Sequence, residues 1–486
     1  MLVKEAATFI FELLNLLLMK QLILLVTIFL FILPFVSKSQ DSSFQLKDYK
    51  YRTPGFKALL LNFNASGSLY DGKGGTRTDV KGNQFNSNSV INYYRIISTD
   101  KRQHISTISF NPVFNFVKND NGGVVTERNR QLRIDADWRR MDRFFNSRNL
   151  FFEVGNELGA SSANQKSSSQ FVDYKSKNNT VSNMLILGVG KGRLENVQDA
   201  QMAKFIINDL QKMGLLDRLP DAATEYELAV LITDINNRRV FDDRKRLIYE
   251  LTRIDSFLQS KQLVKTPSIA YFTTVNDNWL LAFNPGRLSG TRIYAQLKPG
   301  ISFIIAGVRL TDSTSFPYKD DTKQIEYFYE PEIGIEHQKP ITLQWQRVAS
   351  ASIRFRQTFK RDTRKSESIS GPLEFEQFET YPQLSFNSFY GVGYFPTNRT
   401  IVNGGLSFDA VYRQQNIAIG RHSYFSLVPG LRFSADYFIN FRTRLFLNAD
   451  INYYYTEFRD NILSMPVYNK NIVTGNFNFG FSHVIF

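Results

Sequence analysis

The carboxyl-terminal third of the chain alternates apolar and polar residues over long stretches. One parity holds Ile341, Leu343, Trp345, Ala349, Ala351, Ile353, Phe355 and Phe359, and the other holds Thr342, Gln344, Gln346, Ser350, Ser352, Arg354, Arg356 and Thr358. Side chains of a β-strand point alternately to its two faces, so this pattern predicts a two-faced strand of roughly twenty residues. Strands of globular proteins usually have about five or six residues. This length indicates a barrel that crosses a membrane and projects beyond it.

The composition agrees with a membrane protein that crosses with strands. Hydrophobic residues make up 43% of the chain and the mean hydropathy is −0.27, less apolar than expected for a helical membrane protein. In a transmembrane barrel half of each strand faces a polar interior. The aromatic content of 14%, mostly Phe and Tyr, suits the girdles at the two membrane surfaces. In hydrocarbon every backbone amide must be paired, which a closed sheet achieves.

The first segment of the chain has the pattern of a secretory signal peptide. Met19 and Lys20 precede an apolar run that extends to Val36, and small residues follow at Ser37–Gln40. A basic start, an apolar core and a small-residue cleavage site predict removal of residues 1–39, with Met19 as the true start. The alternative is a retained membrane helix. Residues 40–55 then form a polar arm.

Fourteen strands are predicted, within a range of 12–16. Six lie in the first barrel segment, 56–190, and eight lie in 266–486, separated by Gly-, Asn-, Asp- and Ser-rich turns. An even number suits a single-chain barrel. The glycines of Gly188–Gly192 match neither phosphate-binding spacing, so they are read as an exit from the barrel.

The period changes to helical between the two strand segments. Three helices are predicted in an insert, 195–262: one from Glu195 to Met213, one from Thr224 to Asn236, and one from Asp242 to Ser260. If the chain starts in the periplasm, six strands return it there, which predicts a periplasmic insert.

This organisation resembles the integral outer-membrane β-barrel proteins of Gram-negative bacteria. The resemblance rests on the leader, on strands over most of 56–486, and on a last strand that ends in Phe486. It implies an all-β transmembrane antiparallel barrel in the bacterial outer membrane, in contact with membrane lipid and inserted by the barrel assembly machinery. Phe477, Phe479 and Phe481 share one parity and Phe486 the other, so a bulge near Ser482 is predicted to restore the phase.

Charged residues of the predicted strands lie on the parity opposite to the apolar one, where they would line the lumen. These candidates are Arg133, Asp135, Asp137, Arg354, Arg356, Arg432, Asp436, Arg444 and Asp450. They either filter solutes in an aqueous channel or pair across a closed interior, and the sequence leaves both open. The net charge is +14, without a compact basic block, so a nucleic-acid partner is not expected.

A second group of basic residues lies around the junction of the second and third predicted helices. It consists of Arg238, Arg239, Arg244, Lys245 and Arg246. This patch would suit an acidic periplasmic protein or cell-wall carboxylates. The alternative is a solvated face, because Asp234, Asp242 and Asp243 are interleaved with it.

Catalytic chemistry has little support. The chain has no cysteine, and its four histidines are far apart in sequence, so no metal or nucleophile motif is formed and no cofactor is predicted. The leading hypothesis is a channel or transporter-type barrel for small solutes. The alternatives are a membrane-anchored structural or interaction protein that binds a partner through its insert, and an outer-membrane hydrolase.

Overall fold

The computed structural model describes residues 44–73, 79–121, 125–169, 172–237, 243–264, 268–280, 287–312, 317–368, 371–417, 420–440, 443–460 and 468–483. The predicted signal peptide, Arg238, Arg239 and the terminal Phe486 therefore lie outside the described residues. Side chains within these ranges are described except at some strand and helix ends, which include Arg244 and Lys245.

In the described part of the chain, fourteen antiparallel strands form one sheet in which every strand pairs with its neighbours in sequence. The first six are β1 (Thr53–Lys73), β2 (Asp79–Ser98), β3 (Arg102–Asn121), β4 (Val125–Phe145), β5 (Leu150–Ser168) and β6 (Val172–Asn196). The other eight are β7 (Leu288–Asp312), β8 (Tyr318–Pro340), β9 (Trp345–Ser368), β10 (Gly371–Thr397), β11 (Thr400–Ile417), β12 (Gly420–Asn440), β13 (Thr443–Asp460) and β14 (Tyr468–His483). The prediction of an all-β antiparallel fold with about fourteen strands is confirmed. Among the described residues no ladder joins β1 to β14.

The two faces of the sheet differ as the alternation predicts. In the ladder from β8 to β10, Ile333 lies opposite Ile353 and Ile353 opposite Phe386, and the first two are more than half exposed. Their sequence neighbours on the other face are polar or small. We call the face that carries Ile333, Ile353 and Phe386 the apolar face of the sheet, and the opposite face the polar face. Large apolar side chains exposed over so many strands indicate a surface that meets lipid rather than water.

Glycines on the polar face accommodate aromatic rings from nearby positions. A β-carbon at Gly300 would lie 2.2 Å from Cζ of Phe328, and one at Gly334 would lie 2.5 Å from Cζ of Tyr294. The same arrangement joins Phe151 to Gly190, Phe389 to Gly405 and Phe446 to Gly480. Each ring occupies space that only a glycine leaves free, which fixes the register of neighbouring strands. Gly190 belongs to β6, so Gly188–Gly192 is part of the ladder and not an exit from the barrel.

The described residues of the insert between β6 and β7 form four helices rather than the predicted three. They are α1 (Gln198–Lys212), α2 (Ala222–Asn237), α3 (Asp243–Ser260) and α4 (Ile269–Trp279). The fourth lies in the segment assigned to the remaining strands, where its short apolar run fits strand or helix equally well. Ser268 caps it by accepting a hydrogen bond from the Tyr271 amide at 3.2 Å. Strand pairing after the insert begins only at Leu288.

Helix α1 is the centre of the insert. Ala200, Ala203, Ile206 and Leu210 are fully buried at helical spacing. Helix α1 is buried on more than one face, because Met202, Phe205 and Ile207 are also buried. No helix among the described residues combines the length and the hydropathy that a membrane span requires.

Two sequence predictions near strand ends are wrong. The ladder between β13 and β14 keeps an unbroken register from Tyr468 to His483, the last residue that the structure describes, so up to that residue there is no bulge at Ser482. Strand β9 begins at Trp345 and not at Ile341, because residues 341–344 form the turn from β8. In that turn the Ile341 amide donates to the Trp345 carbonyl at 2.8 Å.

Candidate functional site

The polar face holds every predicted lumen charge whose side chain is described, and most of these charges are paired. Arg133 pairs with Asp135 at 2.9 Å, and Arg444 pairs with Asp436 at 3.2 Å. Arg432 lies 4.0 Å from Asp409 and directly opposite Asp450 in the ladder. Asp450 accepts hydrogen bonds of 2.9 Å from Asn452 and from Asn476, and Asp137 is exposed on the same face. The predicted residues therefore form several small networks and not one cluster.

Arg354 and Arg356 belong to the densest of these networks, around two glutamates that the sequence analysis did not single out. Arg354 Nε lies 3.5 Å from Glu330 and 3.7 Å from Glu332, and Arg356 lies 3.7 Å from Glu330. Lys298 pairs with Glu332 as well. Both glutamates are buried at about 5% exposure, and the cations that surround them compensate their desolvation.

The signal for these glutamates is present in the sequence. Glu326, Glu330, Glu332 and Glu336 recur at even positions of β8. Tyr327, Tyr329, Ile333 and Ile335 occupy the odd positions and are exposed on the apolar face. A second pair, Arg143 and Glu153, joins β4 to β5, and Gln296 of β7 donates to Glu153. The alternation of apolar and polar residues along each strand is therefore enough to assign these charged residues to the polar face.

The helical insert contacts one end of the sheet at positions far apart in strand order. It is joined covalently to β6 and β7, where the Val197 amide donates to the Arg287 carbonyl at 2.8 Å. It contacts the start of β1, where Thr53 donates to Asn237 of α2 at 2.7 Å. It also contacts the turn from β10 to β11, where Asn398 donates to Asn278 of α4 at 2.5 Å. The three attachment points are thus spread over the whole strand order.

Arg399 and Arg287 strengthen this junction. Arg399, next to Asn398 in the β10–β11 turn, forms an ion pair with Asp277 of α4. Arg287 donates to the Leu343 carbonyl at 2.5 Å and to Gln346 at 2.7 Å. Its guanidinium lies 4.4 Å from the centre of the Phe395 ring. Burial lowers the pKa of Arg287 to about 10, so it stays charged at neutral pH.

The segment before β1, predicted as a polar arm, inserts a tyrosine into the helices. Tyr49 is 1% exposed and donates to the Ala229 carbonyl of α2 at 3.3 Å. It also hydrogen-bonds Thr233, which in turn donates to Asp199 of α1 at 2.6 Å. Asn236 donates to the second oxygen of Asp199 at 3.1 Å. Burial raises the pKa of Asp199 to about 6. This buried carboxylate therefore links the arm, α1 and α2.

Only Arg246 of the predicted basic patch has a described side chain. It forms an ion pair of 3.2 Å with Glu250 one turn later in α3. Arg246 is thus part of an intrahelical pair. The patch as a whole stays a prediction.

The apolar face carries one buried polar cluster beside the insert end. His104 Nδ1 lies 2.8 Å from Asp142, which also accepts from Arg102 and Arg140. A His–Asp pair occurs in some hydrolytic sites, where it activates a hydroxyl. Within the part of the chain that the structure describes, no hydroxyl is hydrogen-bonded to His104. The cluster is therefore an ion network around Asp142.

Comparison with known proteins gives structural likenesses only. No protein-family model matches the chain, and no curated protein matches it. The TodX monoaromatic hydrocarbon channel (deltaS2 mutant) is 9% identical with a TM-score of 0.31, over 83% of this chain and 85% of that one. The ferric yersiniabactin uptake receptor FyuA of Yersinia pestis is 7% identical with a TM-score of 0.30, over 82% of this chain and 62% of that one.

A third solved structure is the alcaligin outer membrane receptor FauA of Bordetella pertussis. It is 7% identical with a TM-score of 0.24, over 89% of this chain and 73% of that one. Likenesses at this level identify no subfamily, and the fold rests on the strand order itself. The assignment to an all-β antiparallel fold rests on the ladder of β1 to β14.

Proposed function

We propose that this chain is a channel or transporter-type β-barrel for small solutes whose helical insert lies across its periplasmic mouth. The observation that carries the proposal is the contrast between the faces of the sheet. The apolar face exposes large hydrocarbon side chains, whereas the polar face presents charged groups such as Arg133 and Arg432, each more than half exposed. Fourteen strands closed into a barrel leave room for an aqueous interior unless side chains or loops fill it.

The distribution of apolar residues supports the proposed orientation. In β6 the exposed apolar residues lie between Val181 and Val189, and in β9 they lie between Trp345 and Phe359. The β9 group lies mainly on the half of its strand next to the insert, whereas the β6 group lies at the middle of its strand. The opposite ends, 172–180 and 360–368, are mostly polar or charged. Outer-membrane barrels keep short turns on the periplasmic side and extend farther outside, so the insert would be periplasmic.

The attachment points support a position across the mouth. In a ring of fourteen strands, β1, the β6–β7 connection and the β10–β11 turn are separated by four to six strands each. A body fixed at three such points spans the ring and does not lie beside it. Transport would then require the insert to shift or to leave a path beside it.

Ion conductance in a planar bilayer tests the proposal. We expect the purified full-length protein to conduct, and conductance to rise when the contacts of Asn398 and Arg399 with α4 are removed. A protein that inserts into lipid but stays silent in both forms would refute the channel. Labelling of a cysteine introduced at Met213, an exposed residue at the end of α1, tests the orientation. Reaction with an impermeant reagent in intact cells would contradict a periplasmic insert.

A partner-binding insert is the second candidate. Ile269 and Phe272 of α4 are 84% and 44% exposed and lie one turn apart, so they form a small apolar surface on the helices. Crosslinking from a photoreactive residue at position 269 in living cells would show a specific product. The absence of any product would remove this candidate.

A further inference from the structure

The polar face contains a depression that spans six neighbouring strands, β7 to β12. Its volume is about 250 Å³. The residues on which the argument depends are Glu336, Asn387, Phe389, Ser407, Asp409 and Arg432. Sites for drug-sized ligands have volumes of about 300–1,000 Å³, so this one suits a smaller solute.

The depression exists because small residues are in register across the sheet. In one row Ser352 of β9 lies opposite Asn387 on β10. In the next row Ser407 lies opposite Phe389 on one side and Gly430 on the other. Small side chains in neighbouring strands leave a hollow between the larger groups around them.

Ser407, one of the residues that line this hollow, is the second observation that points to a ligand. It is 94% buried, from its exposure of 6%, yet its hydroxyl has no hydrogen-bond partner among the described residues. Buried polar groups in native proteins are nearly always hydrogen-bonded, and an exception needs an explanation. A ligand hydroxyl bound in the hollow would supply the missing partner.

The other groups of the hollow offer both donors and acceptors next to an aromatic ring. Asn387 donates to Asp409 at 2.6 Å, and Arg432, which is 57% exposed, lies 4.0 Å from the same carboxylate. Each of these residues keeps further hydrogen-bonding capacity. The ring of Phe389 is held against Gly405, where a β-carbon would come within 2.6 Å of it.

We propose that this depression is a binding site for a neutral polyhydroxylated solute, such as a sugar, on its path through the barrel. The inference rests on the proposed transport function and names its class of solute. Carboxylate, amide and guanidinium groups pair with the hydroxyls, and the apolar C–H face of the ring lies on Phe389. Sites built to hydrogen-bond hydroxyls reject analogues that lack them.

The charges of the site disfavour other small solutes. Arg292 already neutralises Glu336 at 2.7 Å. The negative charge of Asp409 and the positive charge of Arg432 then cancel each other. An anion would meet the carboxylate of Asp409, and a hydrocarbon would leave the buried Ser407 hydroxyl without a partner. The site thus fits a neutral molecule with several hydroxyl groups.

Equilibrium dialysis with radiolabelled glucose tests the site on the full-length protein, in a detergent without a sugar headgroup. We expect saturable binding that Asp409→Asn and Ser407→Val each weaken at least fivefold. Ser161→Val, a matched change on the polar face of β5 outside the hollow, should leave the affinity unchanged. Asp409→Asn is nearly isosteric, so this variant still tests the site if Ser407→Val does not fold.

The outcomes separate the site from the proposed function. A protein that conducts ions but does not bind glucose, or that binds gluconate more tightly, overturns the sugar site and leaves the channel standing. Unchanged glucose affinity in both variants overturns it as well. Saturable glucose binding by a protein that never conducts supports the site and refutes the channel.

Discussion

The contact between Gly300 and Phe328 gives a sharp test of how the polar face is packed. A β-carbon added at Gly300 would lie 2.2, 2.7 and 2.8 Å from three carbons of the Phe328 ring, and no backbone atom is among the nearest contacts. The ring is 91% buried, from its exposure of 9%, and the Arg356 guanidinium lies 3.8 Å from its centre. The ring therefore has little freedom to move aside when Gly300 becomes Ala.

The expected size of the effect follows from two opposing terms. Overpacking a filled site costs about 1–3 kcal/mol, and so short a contact belongs near the upper end. Replacing glycine by alanine inside a strand recovers roughly 0.5–1 kcal/mol of chain entropy. Gly300→Ala should therefore lower the free energy of unfolding by about 2 kcal/mol. Gly404→Ala is the matched control, because a β-carbon at Gly404 has nothing within 4 Å and should stabilise slightly.

Urea unfolding of the protein in lipid vesicles, followed by tryptophan fluorescence, measures both changes. A double-mutant cycle with Phe328→Ala isolates the contact, since without the ring Gly300→Ala should no longer destabilise. Equal effects of Gly300→Ala with and without Phe328, or equal effects of the Gly300 and Gly404 variants, would refute the packing argument.

Three further predictions concern the faces of the sheet, the buried carboxylate and the insert junction. Ile451→Arg on the apolar face should cost about 2–4 kcal/mol of unfolding free energy near the bilayer centre, and Asn448→Arg on the polar face far less; equal costs in vesicles would contradict the assignment of faces. Because the pKa of Asp199 is raised to about 6, its folded form holds the proton more tightly, so its contribution to stability is largest at low pH and is lost as the pH rises from about 4 to 6. Asp199→Asn should remove that part of the pH dependence, and an unchanged profile of helix unfolding by circular dichroism would count against it. Alanine at both Asn398 and Arg399 should raise amide hydrogen exchange in α4 more than in α2; an equal change in both helices would show that the turn does not hold α4 in place.

The number of strands and the parity of the polar face could both be predicted from the sequence. The reason is that one face of each strand must be apolar for lipid, so the period of two is strong over long stretches. The helices at 198–212, 222–237 and 243–260 could also be predicted, because apolar residues recur in them with a period of 3.6. The helix Ile269–Trp279 did not, because its apolar run is short and its cap is a single serine.

Only the tertiary structure decided which of these residues meet. Local sequence carries no record of strand register, and register is what places Ser352 beside Asn387, and Ser407 beside Phe389 and Gly430. The position of Tyr49 against α2 likewise joins residues about 180 positions apart. Alternation therefore fixes which face a side chain occupies, whereas the pairing of distant strands creates the hollow and the junction on which the proposals depend.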